Sequence, residues 1–571
     1  MILLSPEAET VLQARYLRDG ETAELLFRRV ANYVACAEAN YGQEAASAAE
    51  AYYELMSSLM FLPNSPALIN AGKPKAQLAA CFVLPIEDTL ADIFETLKHT
   101  ALIHQSGGGT GFSFSRLRPE GDRVGATGGT SSGPVSFMHI YDMATQVVKQ
   151  GAARRGANMA ILRVDHPDIA SFITAKRRHD VLNNFNLSVG ITDAFMEAVK
   201  NQTDFSLVNP HNRDVVKIVP AKEIFDLLVQ MAWESGEPGL FFLDTVNEDN
   251  PTPQLGLFES PNPCSEQPLL PYESCVLGSI NLTKMLTSNG CELSLDKSRL
   301  AQTVRTAVRF LDNVIDINCY PLPEVTEATR KTRKIGLGVM GLAELFVMLN
   351  VPYASRQAIQ LTSDIMKFVT AEARAMSAEL GRERGSFPAF AGSVFPKLGY
   401  SHMRNATVTT IAPTGTISMI AGCSSGIEPL FGLAMTRRVL DGRLITSVNQ
   451  VAVDYLKKNG LFSDEVNEHI TASGSVAGLG LPDKIKTVLA TAHEVTPNWH
   501  VSHLAAAQQY TDNGVSKTVN LSKQATLCEV AEVFLTAHSK RCKGVTVYRD
   551  SSRGQQVLTH GVSGGCEECK I

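Results

Sequence analysis

The sequence predicts an α/β protein preceded by a helical segment, and three observations carry that expectation. Short apolar runs such as CFVLPI and GLFFLD alternate with amphipathic stretches such as TLADIFETLKHTALIHQ and LAQTVRTAVRFLDNVIDI, the pattern of parallel strands joined by helices. Residues 1–62 have few turn formers and repeat apolar positions at helical spacing, as in LLFRRVANYVACAEA and AYYELMSSLMF, so they read as an N-terminal helical cap. No Pro-rich or low-complexity linker interrupts residues 63–550, which read as one large domain. The last stretch, residues 551–571, is polar and Gly-rich without sustained periodicity and is expected to be a mobile tail.

Composition narrows the function. A chain of 571 residues with 44% hydrophobic content can fill a large core. Its net charge of −6 offers no basic excess for following a nucleic-acid backbone, which favours a small-molecule substrate. No apolar run is long enough for a membrane span, and MILLSPEAETVLQARYLRDG turns charged too early for a signal peptide, so the cytoplasm is the expected compartment. Eleven cysteines are too few for a secreted disulfide scaffold. Each is by default a small buried hydrophobe unless its neighbours say otherwise.

Two sets of neighbours do, and a third pattern concerns glycines. In the tail, Cys566 and Cys569 form a CxxC pair that can cycle between dithiol and disulfide or ligate zinc with distant partners. The redox reading fits better, because no second CxxC or His pair lies nearby and exchange needs thiolates that reach their target. In the run Pro261 to Glu266, two prolines stand just before Cys264 and describe a rigid loop. If that loop is extended, Asn262, Cys264 and Glu266 face one way, and Cys275 follows in YESCVLGSINL; a structural turn with an inward cysteine is the competing reading. Glycine-rich segments, Gly107 to Gly111, residues 125–137 and Ala412 to Ser418, offer backbone amides suited to phosphate, each a weak pattern alone.

Two other patterns are set aside. Gly336, Gly338 and Gly341 satisfy GxGxxG, but TRKI stands where an apolar strand should precede it. His500 and His503 lack a convergent third ligand and read as surface or core histidines, so no metal site is expected.

Taken in order, NSPALINAG, AACFVLPIEDTL, GGGTGFSFSRLRPEGD, NPCSE, ESCVLGSINL, APTGTISMIAGCSSGIEP and CKGVTVYRD resemble the large subunit of ribonucleotide reductases from about residue 60 to the C-terminus. The resemblance implies a ten-stranded α/β barrel of two parallel five-stranded halves with the NPCSE loop as a central finger. It implies that Cys264 becomes a thiyl radical, Glu266 is the general base, Asn262 orients substrate, and Cys81 with Cys275 supplies two electrons. Cys566 and Cys569 would then pass electrons from a thioredoxin-like reductant to the buried disulfide. Ser65, Ala80, Gly109, Pro413, Thr414, Gly415, Thr416 and Ile417 resemble substrate contacts; some relatives carry serine in place of Ala80. Asp88 and Arg118 match positions that bind a deoxynucleoside triphosphate effector, and residues 150–159 resemble the loop that relays its identity. Relatives hold that effector at a homodimer interface, so a homodimer is implied.

Within this family the radical source differs by class. The segment of a glycyl-radical enzyme is missing, and Val547-Tyr548 stands where diiron-partnered enzymes carry two adjacent tyrosines. That favours the adenosylcobalamin-dependent class acting on ribonucleoside diphosphates, with a class I large subunit as the alternative. Only about 60 residues precede NSPALINAG, too few for an ATP-binding cone, so on–off control by ATP and dATP is not expected. A zinc or nicotinamide oxidoreductase and a non-catalytic nucleotide-binding regulator are more distant alternatives; the joint presence of base, thiols and tail pair disfavours the regulator.

Overall fold

The computed structural model describes residues 2–571 except 126–127, 149–155, 179, 291, 439–443, 553–557 and 562–571. The first helices are α1 (Pro6–Arg15), α2 (Ala23–Ala35) and α3 (Ala45–Ser57). Ser5 and Thr22 cap α1 and α2 by accepting from the N–H groups of Ala8 and Leu25. Along α2, Leu26, Phe27, Val30, Ala31 and Val34 are buried, the stripe that the apolar spacing predicts.

Five parallel strands follow in sequence and in space: β1 (Cys81–Leu84), β2 (Gly109–Ser113), β3 (Asn158–Arg163), β4 (Phe185–Ile191) and β5 (Gly239–Phe242). Helices α4 (Leu90–Gln105) and α5 (Gly133–Val147) make the first two crossovers. A second parallel set contains β6 (Ser274–Asn281), β7 (Ile335–Met340), the extended segment 407–411, β8 (Thr518–Leu521) and β9 (Gly544–Arg549). Segment 407–411 is joined by the bridges Leu337 to Thr409 and Ile411 to Val515. The halves meet antiparallel, β6 on β1 and β9 on β5, which closes the barrel the sequence implied. Helices α6 (Lys297–Ile317) and α7 (Arg356–Arg384) cover the second half, and α6 packs on α2 and α3.

Between the halves the chain turns inward. Ser260–Pro261 and Pro268–Leu269 pair antiparallel, and the tip between them carries Cys264. The barrel makes room by omitting side chains: a Cβ on Gly111 would lie 1.8 Å from the Pro261 carbonyl oxygen, and one on Gly514 would lie 2.6 Å from that of Ser265. Polar groups then fix the finger. Asn186 Nδ2 donates to the Pro263 carbonyl at 2.8 Å, and the Gly514 N–H and Thr410 hydroxyl both donate to the Glu266 carbonyl at 2.8 Å.

The finger is not extended throughout. Ser265 lies at φ +65° and its N–H donates to the Asn262 carbonyl, so Asn262 and Glu266 converge through a tight turn instead of by strand alternation. GxGxxG is likewise resolved: its first five residues belong to β7, where a Cβ on Gly338 would lie 2.4 Å from the Thr410 carbonyl oxygen. Among the described residues of 551–571, Leu558–His560 pairs antiparallel with Met435 to Arg437. No helix among the described residues is long and apolar enough to cross a membrane.

Candidate active site

Cys81 and Cys275 stand opposite each other in the antiparallel register of β1 and β6. Both are buried free thiols that pack in one cluster with Val83 and Leu277, two residues further along each strand, so all four share the inner face. Directly opposed residues of an antiparallel pair have Cβ atoms roughly 5 Å apart, close enough for a disulfide after modest adjustment. Burial pushes the Cys275 thiol well above its ordinary range; the charge of Lys334 opposes this and those of Glu273 and Glu266 add to it. Cys275 is therefore held as the thiol, a hydrogen donor.

The finger tip lies beside them. Asn262 Nδ2 donates to Cys81 Sγ at 3.0 Å, and the Cys81 thiol points toward Glu266 Oε1 at 3.9 Å. Asn262 Oδ1 accepts from the Gln267 N–H, which locks its amide orientation. Asn262 and Glu266 are buried, while Cys264 at the tip is exposed to two cavities that it shares.

The smaller cavity, about 250 Å³, gathers the residues picked out as substrate contacts: Ser65, Ala80, Gly109 and Pro413 to Ile417, with Cys81, Asn262, Cys264 and Glu266. Thr414 at φ +51° turns the backbone, and its hydroxyl accepts from the Gly426 N–H at 2.9 Å. Sequence reasoning missed the part played by α1. Tyr16 shares a hydrogen bond of 2.8 Å with Ser65, and Arg15 Nη1 lies 3.4 Å from the Thr416 hydroxyl, a contact across 401 residues that no local pattern announces. Asn186, 77 residues before the carbonyl it holds, was missed for the same reason.

The larger cavity, about 700 Å³, reaches from Cys264 and Pro263 past Asn186, Val545 to Tyr548, and Glu428 with Lys517. Elsewhere, Asp88 accepts from Arg118 Nε at 2.7 Å and from its backbone N–H at 3.1 Å, and His211 from the hairpin after β4 stands 3.5 Å away. Residues 150–155 of the expected relay loop, and the Cys566 and Cys569 pair, lie outside the described residues. His500 and His503 are buried, with both ring nitrogens engaged by protein groups. Among the described residues no group of three His, Cys, Asp or Glu side chains could hold a metal ion.

Comparison with known proteins decides the family. Residues 79–548 match the model described as "Ribonucleotide reductase, barrel domain" and residues 2–76 the model described as "Ribonucleotide reductase, all-alpha domain". The chain belongs to the ribonucleotide reductase large-subunit family. This reductase chain is 48% identical over 563 residues to the vitamin B12-dependent ribonucleoside-diphosphate reductase of Thermoplasma acidophilum, spanning 98% of the chain and 72% of that relative. It is 47% identical over 584 residues to the enzyme of that name from Mycobacterium tuberculosis strain H37Rv, covering 99% and 82%. The solved alpha subunit of the class Id ribonucleotide reductase from Actinobacillus ureae superimposes with a TM-score of 0.80 at 25% identity, covering 96% of this chain and 97% of that one.

Proposed function

We propose that this chain reduces ribonucleoside diphosphates to 2′-deoxyribonucleotides by a cysteine-radical mechanism that depends on adenosylcobalamin. The observation that carries this reading is the opposed pair Cys81 and Cys275 beside a finger whose thiol, Cys264, opens on two cavities at once. One cavity suits substrate and the other a radical source. The relatives named above as vitamin B12-dependent diphosphate reductases support both the substrate and the cofactor.

The residues present fit a corrin. The larger cavity, about 700 Å³, is lined by Cys264 itself, and Val545 to Tyr548 with Asn186 would form its inner wall. When bound, adenosylcobalamin supplies the radical by homolysis of its cobalt–carbon bond, chemistry that side chains alone do not perform. Cys264 then removes the 3′ hydrogen of the ribose, and Glu266 takes the 3′-hydroxyl proton while Asn262 orients the substrate. The 2′-hydroxyl leaves as water. Cys81 and Cys275 give two electrons and two protons, forming a disulfide, and Cys264 returns the hydrogen to C3′. Thr414 to Ile417 present backbone N–H groups to the phosphates, with Pro413 setting the start of the turn, and Arg15 supplies the cation that this neutral cradle lacks.

Asp88 and Arg118 are assigned to the deoxynucleoside triphosphate effector, with residues 150–159 as relay. Homodimer formation is supported by the exposed stripe Ile140, Met143 and Val147 on α5. The tail pair Cys566 and Cys569 is assigned to re-reduction by a thioredoxin-like protein.

The deciding experiment is CDP reduction by the purified chain alone, with and without adenosylcobalamin. Activity is expected only with the cofactor, and Tyr548→Phe is expected to run close to the parent rate. Activation by a diiron or dimanganese partner subunit, with no cobalamin dependence, would overturn the class while leaving the thiol chemistry standing.

A further inference from the structure

The larger cavity has a charged wall that neither the thiol chemistry nor the phosphate cradle uses. We propose that Glu428 is a cofactor-binding residue whose carboxylate accepts hydrogen bonds from the carboxamide N–H groups on the rim of a corrin, an assignment that rests on the cobalamin reading of this cavity.

Glu428 and Lys517 both line the cavity, but they meet it differently. Lys517 Nζ spends its three N–H bonds inside the protein, on Glu428 Oε2 at 2.5 Å, His500 Nδ1 at 3.0 Å and the Thr518 carbonyl at 3.2 Å. Its side chain is 0% exposed, whereas that of Glu428 is 25% exposed. His500 completes the arrangement. Its Nε2 donates to the Ala492 carbonyl at 3.1 Å, which leaves Nδ1 as acceptor for Lys517, and burial with the neighbouring ammonium keeps the ring neutral. The Oε1 atom of Glu428 accepts from the Thr518 N–H at 2.8 Å. Each carboxylate oxygen retains a second lone pair, so the wall offers the cavity acceptors backed by a cation turned away from it.

Such a pair is a poor device for stability alone. Desolvation offsets most of its Coulomb gain, and apolar residues of similar size would line a merely water-excluding wall as well. A carboxylate facing a cavity does select ligands, because it repels anions and gains nothing from an apolar surface. Amide N–H donors satisfy it. Cobalamin carries uncharged carboxamides around its macrocycle, whereas substrate phosphates have their own cradle at Pro413 to Ile417 on the smaller cavity.

Equilibrium dialysis of the full-length chain tests this, with the visible absorbance of the corrin reporting the bound fraction. The ligands are hydroxocobalamin and monocarboxylate derivatives in which one peripheral amide has been hydrolysed. The parent is expected to bind hydroxocobalamin roughly tenfold tighter than at least one derivative, the weight of one charge-assisted hydrogen bond. Glu428→Gln is expected to lose about tenfold for hydroxocobalamin and to lose that preference, while Glu428→Asp keeps the preference at lower affinity. If Glu428→Gln binds with the parent's affinity and preference, the proposal is overturned and the cobalamin reading stands. Should the variants not fold, equal parent affinity for hydroxocobalamin and every derivative overturns it as well. A parent that binds no corrin overturns both readings.

Discussion

At the scale of single residues, the proposed chemistry rests on Cys264, the thiol that two cavities share. Cys264→Ser is expected to abolish deoxyribonucleotide formation while nucleotide binding stays near that of the parent, because a hydroxyl does not readily form the hydrogen-abstracting radical. Assay of product beside equilibrium nucleotide binding checks this, and substantial turnover would remove the central assignment. Arg15 makes a different prediction. As a cation beside a neutral cradle it contributes to binding in ground and transition states alike, so Arg15→Ala is expected to raise KM for the diphosphate about tenfold with little change in kcat. An unchanged KM would return Arg15 to a structural role. The difference in legibility between these two residues is physical. Asn262, Cys264 and Glu266 lie within one short loop, so their spacing was readable even though a turn at Ser265, and not an extended strand, brings Asn262 and Glu266 together below the tip. Arg15, Asn186 and Glu428 act across long separations, where only the closed barrel creates the contact.

At the scale of elements, the helical cap is fastened to the barrel by buried charge. Glu38, just after α2, accepts from Arg309 at 2.7 and 2.9 Å, from Asn313 at 2.7 Å on the same helix α6, and from Arg384 at 2.7 Å in α7. Burial pushes its carboxyl up, but the bonds from Arg309 and Asn313 and the charges of Arg384 and Arg309 outweigh that and hold it at about 2. A folded pKa below the unfolded value means stability that is present above about pH 4.5 and lost as pH falls through about 2. The shift is worth on the order of 3 kcal/mol. Glu38→Gln is therefore expected to be destabilised near pH 7, with the gap to the parent closing in denaturant melts carried toward pH 2. A gap that stayed constant with pH would show that packing, not charge, holds the cap. The strand and helix alternation was legible because burial imposes its period on the sequence, as α2 and β1 to β5 illustrate. Segment 407–411 and β7 were harder to read: one has only isolated bridges, and the other carries glycines that mimic a nucleotide-binding turn.

At the scale of the whole molecule, the closed barrel that surrounds the finger also shields the proposed redox pair. Cys81 and Cys275 are 3% and 0% exposed, so a protein reductant has no direct approach to them. The route proposed above runs through the tail. Leu558–His560 is paired with Met435 to Arg437, and Met435 lines the larger cavity that ends at Cys264. Cys566 follows Gly561 by five residues, a reach of about 17 Å at full extension, so release of that short strand would lengthen the reach considerably. With Cys566 and Cys569 both changed to serine, one turnover from pre-reduced protein is expected to proceed at nearly the parent rate, since the proposal gives the pair no part in the chemical step. Repeated turnover with a thioredoxin-type reductant is expected to stall, and dithiothreitol, small enough to enter the barrel, should restore part of it. Rapid-quench and steady-state measurements on the same preparation separate these outcomes. Unimpaired thioredoxin-driven cycling by the double variant would mean that the reductant reaches Cys81 and Cys275 by another route, and would leave the tail pair to zinc or to no role.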